Sequence, residues 1–151
     1  MSYKQHKNLI PTVDTIIEIN SQILFIERKK DPFKGHLTFP GGFVNEGEKV
    51  EDAALREVKE ETSLSVKLVD ILGVYSDPAR DPRGHIMSTV FIGQIPSEYK
   101  DKAKSGDDAA ALKWVNLDET DNQNLGFDHK KIISDYKKWV QSKTGTFWSS
   151  R

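Results

Sequence analysis

The stretch Gly42-Phe43-Val44-Asn45-Glu46-Gly47-Glu48-Lys49-Val50-Glu51-Asp52-Ala53-Ala54-Leu55-Arg56-Glu57-Val58-Lys59-Glu60-Glu61-Thr62-Ser63-Leu64 decides how the chain is read. It runs from a glycine turn into a helix predicted over Lys49 to Thr62. Glu48, Glu51 and Asp52 stand at its start, where the helix dipole favours negative charge. Leu55 and Val58 give it an apolar side, with Ala54 alongside. Glu57, Glu60 and Glu61 fall at i, i+3 and i+4, so all three share one face. Oxygen donors clustered on a rigid element suit a hard cation such as Mg²⁺ or Mn²⁺. Ala53, one turn earlier on that face, leaves room beside them. Arg56 cannot ligate a metal, but four residues before Glu60 it is placed to orient that carboxylate. Gly41 and Gly42 let backbone pass close to the helix, where Cβ atoms would obstruct it; a carbonyl there is a further candidate ligand. Taken alone, a Glu-x-x-Glu-Glu face also describes an ordinary solvated helix. The joint pattern fixes many more positions.

Working outward, Thr12 to Ile19 is rich in Val, Ile and Thr and reads as a strand. Asn20-Ser21 is a turn, and Gln22 to Arg28 completes a hairpin. His36 to Phe39 is short and extended and ends at Pro40-Gly41-Gly42. After the helix, Val66 to Tyr75, Met87 to Ile95 and Ala111 to Asn116 read as strands. Ile132, Ile133, Tyr136, Trp139 and Val140 recur at helical spacing, which predicts a closing helix over Asp128 to Gln141. Many strands with few helices make this α+β, helices packed on a mixed sheet. The expected organisation is one domain over residues 1–151, with 1–10 and 144–151 as loosely held tails.

Composition narrows the function. The chain has 151 residues, 36% hydrophobic and 30% charged, and its apolar runs, such as Ile23 to Ile26, are far short of a membrane span. Lys plus Arg total 22 against 23 Asp plus Glu, a net charge of -1, without the basic excess of a general nucleic-acid binder. With no cysteine there is no disulfide, thiolate nucleophile or Cys-type metal site. A cytoplasmic protein with no membrane and no nucleic-acid partner is expected. A small anionic substrate held through a metal remains compatible with the charge.

Gly42, five residues, Glu48, seven residues, then Arg56-Glu57-Val58-Lys59-Glu60-Glu61-Thr62-Ser63-Leu64 resembles the Nudix box, G-x5-E-x7-R-E-U-x-E-E-x-G-U. One position departs: Ser63 stands where the family has glycine, at a helix end where a left-handed residue is easiest for Gly. Leu37 to Val44, Gly106 to Ala110 with Trp114 and Leu117, and Phe127-Asp128-His129 are also similar to family members, in the branch of ADP-ribose pyrophosphatases. The resemblance implies a Nudix fold, a mixed β-sheet between helices in an α/β/α sandwich. It implies hydrolysis of a nucleoside diphosphate linked to another moiety, with Mg²⁺ (or Mn²⁺) bound to the diphosphate. Carried over by position, Glu57 and Glu61 are the principal metal ligands, Glu60 assists, the Gly41 carbonyl contributes, and Glu48 and Arg56 brace loop and helix around Gly42. The general base lies in the box or on a later loop, where Asp107 and Asp108 are candidates; Asp108 reads equally as a turn residue. A homodimer is a further implication.

Substrate choice is expected outside the box. Tyr75-Ser76-Asp77-Pro78-Ala79-Arg80-Asp81-Pro82-Arg83-Gly84-His85 resembles the Asp-Pro-Arg loop of ADP-ribose pyrophosphatases and of ADP-ribose-sensing regulators. Arg80 and Arg83 offer planar forks that match a diphosphate. Arg28 is placed for the same task, or is a surface charge beside Lys29 and Lys30. Phe33, Phe43 and Phe127 are candidates to stack an adenine, although burial in a core is the commoner role of such rings. ADP-ribose, giving AMP and ribose 5-phosphate, is the expected substrate. The rivals are a sanitising pyrophosphatase for ordinary or 8-oxo nucleoside triphosphates, and a sensor that binds ADP-ribose without cleaving it. Such sensors join this domain to a DNA-binding domain, for which little chain remains after the last predicted helix.

Overall fold

The computed structural model describes residues 9–107 and 109–151. Strand β1 (Ile10–Ile19) turns through Asn20 (φ 51°) and Ser21 (φ 64°) into β2 (Gln22–Arg28). Two consecutive left-handed residues match the twist of a tight hairpin. The next elements are β3 (Leu37–Thr38), β4 (Gly41–Phe43), helix α1 (Val50–Thr62), β5 (Lys67–Tyr75) and β6 (Ile86–Gln94). Then come β7 (Ala109–Asn116), helix α2 (His129–Ser142) and β8 (Phe147–Trp148).

The sheet runs β3-β2-β1-β6-β5-β8, with β4 on β1 and β7 on β2. At its centre β1 and β6 are parallel, from Ile10↔Ile86 to Ile17↔Gly93. The other side of β1 is divided. Its start, Thr12 to Asp14, pairs with β4, whereas its end, Glu18 and Ile19, pairs with β2. β1 thus passes one edge from one partner to another, and backbone strands diverge there.

Period-2 alternation sends successive β1 residues to opposite faces. Val13 packs with Ala53 and Ala54 of α1, and Ile17 packs with Val58 and Leu64. Ile16 joins Ile132, Ile133, Tyr136 and Trp139 of α2 on the opposite face. Each face of the sheet is therefore covered by one helix, the three-layer sandwich expected from the resemblance.

Two expectations about the tails change. Residues 1–8 lie outside the described residues, but Ile10 already begins β1 rather than belonging to a loose tail. At the other end, Phe147 and Trp148 add a parallel strand to β5 at Gly73 and Val74. Phe147 is buried in the main cluster, and Ser149 Oγ accepts the backbone N–H groups of Ser76 and Asp77 at 2.9 and 3.0 Å. Gly73 permits this approach: a Cβ there would stand 2.1 Å from the Phe147 carbonyl oxygen. Two apolar residues in a polar stretch carried too weak a pattern to be read as a strand. No helix of the described residues is long and apolar enough to cross a membrane.

Candidate active site

The site is built where β1 exchanges β4 for β2. α1 presents Glu57, Glu60 and Glu61 toward β4, and the Gly41 N–H donates to Glu61 Oε1 at 2.8 Å. Gly42 is required by contact: a Cβ on it would lie 2.5 Å from the Glu57 carboxylate. Arg56 is the brace. Its Nε and Nη2 hold Glu48 at 2.8 and 2.9 Å, Nη2 reaches the Phe43 carbonyl at 3.0 Å, and Nη1 holds Glu57 at 2.8 Å. The expected i,i+4 pair with Glu60 is present but longer, 3.4 Å. Arg56 keeps Glu48 ionised, with a pKa lowered to about 2.

Ser63 closes α1 in the left-handed conformation (φ 64°) that glycine fills in the family pattern. Its Oγ donates to the Lys104 carbonyl at 3.2 Å, and its own carbonyl accepts from Lys59 at 3.2 Å. The loop before β7 caps the helix: Lys104 N–H and Gly106 N–H bond the Thr62 and Glu61 carbonyls at 2.8 and 3.1 Å. These are carbonyls a helix end leaves without partners. Asp107 is thereby carried to the rim of the glutamate face, with Lys29 Nζ on its carbonyl at 3.1 Å. Asp108 lies outside the described residues.

An open cleft of about 740 Å³ brings together Gly41, Glu57, Glu60, Glu61, Arg28, Arg83 and Asp107. It continues into a deeper recess of about 180 Å³ floored by Asp14 and His129 and walled by Phe127, Arg80 and Asp81. Most residues expected at the site therefore meet in one place. Arg80 is placed differently from expectation. Its side chain is only 4% exposed, and Nε and Nη2 grip both oxygens of Asp128 at 2.9 and 2.6 Å. It forms part of the wall, with its fork committed to protein. Arg83 is the freer of the two: its side chain is 38% exposed and pairs with Asp81 at 2.8 Å.

Asp14, Asp81, Asp128 and His129 complete the site without having been assigned a role from the sequence. Asp14 was legible in principle, as an acid within an otherwise apolar strand that had to be buried or paired. Asp128 and His129 were seen only as part of a family-like segment. Asp14 accepts from Ser88 Oγ at 2.6 Å and lies 3.7 Å from His129 Nε2. His129 Nδ1 accepts the Phe39 N–H at 3.1 Å, so its proton sits on Nε2, facing Asp14. Burial, with Arg80 and Arg28 nearby, holds His129 well below its ordinary pKa, hence neutral.

The electrostatics of the cleft are divided. Burial pushes Glu61 up to about 9 and Asp14 up to about 7, and raises Glu57 against the opposing pull of Arg56. Across the cleft, burial and the like charge of Arg83 lower the Arg28 pKa. Carboxylates gather on one wall and guanidinium groups on the other, each partly paired within its own wall, Glu57 with Arg56 and Arg83 with Asp81. Among the described residues no three acidic or imidazole groups already converge on one point as a closed cage. The donors fit a hard divalent cation, since Glu57, Glu60 and Glu61 offer oxygen alone and burial raises the pKa of Glu57 and Glu61.

The Nudix domain profile matches residues 9–136. The chain belongs to the Nudix family. An ADP-ribose pyrophosphatase of Methanocaldococcus jannaschii is 47% identical over 137 residues, 91% of this chain and 78% of that protein. A crystal structure of a mutT/nudix family protein from Listeria innocua superposes with a TM-score of 0.76 at 34% identity, covering 91% of this chain and 98% of that one. A bifunctional NMN adenylyltransferase/ADP-ribose pyrophosphatase from Francisella tularensis, solved with AMP and a manganese ion, gives 0.73 at 28% identity, covering 92% of this chain and 43% of that one. Divalent metal is the general requirement of Nudix hydrolases, in keeping with the glutamate face described above.

Proposed function

We propose that this Nudix hydrolase cleaves the diphosphate of ADP-ribose with Mg²⁺, releasing AMP and ribose 5-phosphate. The observation that carries the reading is the pairing of two opposed walls across one cleft: Glu57, Glu60 and Glu61 on one side, Arg28 and Arg83 on the other. A diphosphate bridged to a cation satisfies both walls at once. The similarity to the pyrophosphatase of M. jannaschii supports ADP-ribose as the moiety carried.

In the reaction, a water oxygen attacks one phosphorus, the bridging P–O bond breaks, and the leaving phosphate departs with the electron pair. Glu57 and Glu61 would hold the cation, with Glu60 and the Gly41 carbonyl assisting. When bound, the cation draws charge from the phosphate oxygens and lowers the pKa of water. The chain's own residues do the rest. Arg56 fixes the rotamer of Glu57, the Gly41 N–H fixes Glu61, and Gly42 leaves the space the Glu57 carboxylate occupies. Arg28 and Arg83 receive the negative charge of the diphosphate. Asp107 stands at the rim as a candidate to accept the proton from water.

The test is phosphate-coupled turnover over ADP-ribose, NADH, diadenosine polyphosphates, nucleoside triphosphates and 8-oxo-dGTP, with Mg²⁺ and with EDTA. Metal-dependent cleavage that prefers ADP-ribose is expected. Preference for a triphosphate would overturn the substrate, and binding of ADP-ribose without turnover would overturn the activity.

A further inference from the structure

β8 runs parallel to β5, pairing at Gly73↔Phe147 and Val74↔Trp148. Parallel neighbours leave a sheet at the same end. Ser149 therefore emerges beside Ser76, where the loop that carries Arg80 and Arg83 departs from β5. Its Oγ accepts the N–H groups of both Ser76 and Asp77, at 2.9 and 3.0 Å. That loop has little packing to hold it: Ser76 to Ala79 and Pro82 to His85 are exposed, and only Arg80 and Asp81 are buried. Asp77 Oδ1 accepts the Ala79 N–H at 2.8 Å, and the Ser76 carbonyl accepts from His85 Nε2 at 2.9 Å, but both bonds lie within the loop. Asp128 holds the Arg80 side chain in the middle, and the Ile10 N–H bonds the His85 carbonyl at the end. Ser149 secures the backbone at the start. The turn that carries Ser149 is tied to α2 in its own right. Lys131 Nζ donates to the Arg151 carbonyl at 2.9 Å and also to Asp135, which accepts the Tyr75 hydroxyl at 2.8 Å at the end of β5. A hollow of about 590 Å³ shares Arg80 and Phe127 with the catalytic recess and reaches Ser149 and Lys131. The wall is therefore thin there, fastened by polar bonds more than backed by packing.

We propose that Ser149 is a positioning residue for substrate capture: its hydroxyl fixes the start of the arginine loop, so that Arg83 already stands at the cleft when the diphosphate arrives. The inference rests on the reading of Arg83 as a diphosphate contact. Two successive N–H groups aimed at one oxygen set the direction of the chain as it leaves β5, since both peptide planes must face the same point. Without the hydroxyl, the exposed N–H groups of Ser76 and Asp77 turn to water at little cost in folding. The cost appears on binding instead. The loop then samples several arrangements, and apparent affinity falls with the fraction that holds Arg83 at the cleft. Glu57, Glu60 and Glu61 belong to α1, which Ser149 does not touch. Ser149 thus acts on capture of the anion and leaves the chemical step as it was.

Calorimetric binding of pyrophosphate with Mg²⁺, beside steady-state kinetics on ADP-ribose, tests this in the full chain. Ser149→Ala is expected to weaken pyrophosphate and to raise KM about fivefold, the worth of one hydrogen bond, with kcat and the melting temperature unchanged. Ser149→Thr, which keeps the accepting oxygen, should restore both affinity and KM. Because Ser149 acts through Arg83, adding Ser149→Ala to an Arg83→Ala background should change neither quantity further, a non-additivity that a general loosening of the fold would not produce. Unchanged pyrophosphate affinity in Ser149→Ala, a fall in kcat as large as the rise in KM, no recovery with threonine, or losses that add in full to those of Arg83→Ala would each overturn the role. An enzyme inactive on ADP-ribose that still shows the expected pattern with pyrophosphate would sink the substrate reading and leave the positioning role standing.

Discussion

The two walls of the cleft are made in different ways. The glutamate wall comes from one helix and the turn before it, within Gly41 to Ser63, and its geometry follows from helical spacing. The arginine and aromatic wall is assembled from β1, β2, the loop after β5 and the start of α2, residues as far apart as Asp14 and His129. The first wall is local and braced by Arg56. The second depends on two arginines that look alike in sequence and differ in burial, Arg80 paired with the distant Asp128 and Arg83 with its neighbour Asp81. The lesson is that position along a motif predicts chemistry well when one element carries it. When many elements carry it, burial decides which of two similar residues is left open to the cleft.

That difference can be broken at its strongest point by Glu61→Gln. Turnover with Mg²⁺ should fall at least about a hundredfold, because several kcal/mol of charge stabilisation are lost. Stability should move the other way. Folded Glu61 holds its proton up to about pH 9, against an ordinary value of 4.5. The folded state therefore loses stability as pH rises between those values, and a neutral glutamine removes that loss. In EDTA the variant should melt higher than the native protein, by more at pH 8 than at pH 5. A melting point lowered at both pH values would show that the carboxylate is not strained by burial. Metal binding by the native protein should release protons, read by calorimetry in buffers of different ionisation enthalpy.

The two arginines sharpen the contrast within the second wall. Arg80→Ala removes a guanidinium side chain that is 4% exposed and both of its bonds to Asp128, and should cost about 3 kcal/mol in urea unfolding. Arg83→Ala should cost less, about 1–2 kcal/mol, because the side chain lost is 38% exposed and the Asp81 carboxylate, itself 2% exposed, keeps the Arg83 backbone N–H at 2.9 Å. Its KM for ADP-ribose should nonetheless rise about tenfold, the loss of a charge-assisted hydrogen bond. Equal destabilisation by both would erase the distinction drawn from burial. The smallest effect is expected at Ser63→Gly, which relieves the left-handed serine but loses the bond to the Lys104 carbonyl. Chemical denaturation should change by under about 1 kcal/mol in either direction, with turnover retained. A large loss of turnover would mean that the loop carrying Asp107 needs the serine hydroxyl.

Much of this site is legible in the sequence. Glu57, Glu60, Glu61, Arg56 and Gly42 declare themselves because helix periodicity converts spacing into a face. The hairpin turn at Asn20-Ser21 and the closing helix were equally readable. What was not legible involved distance along the chain. Arg80 looked like a ligand-binding residue, since nothing in sequence says that Asp128 reaches it. β8 is too short to show a pattern, and Gly73 gains meaning only once Phe147 lies against it. Asp14 hinted at a buried task without naming its neighbours.

By itself, then, the sequence determined the family, the acidic helix face and the chemistry of its donors, since these depend on residue type at intervals of three and four. Tertiary structure alone decided the parallel pairing of β1 with β6, the divided edge of β1 that opens the cleft, and the choice of Arg83 over Arg80 at its mouth. Those outcomes depend on which distant segments exclude water from one another. Burial is a property of the packed chain and of no residue within it.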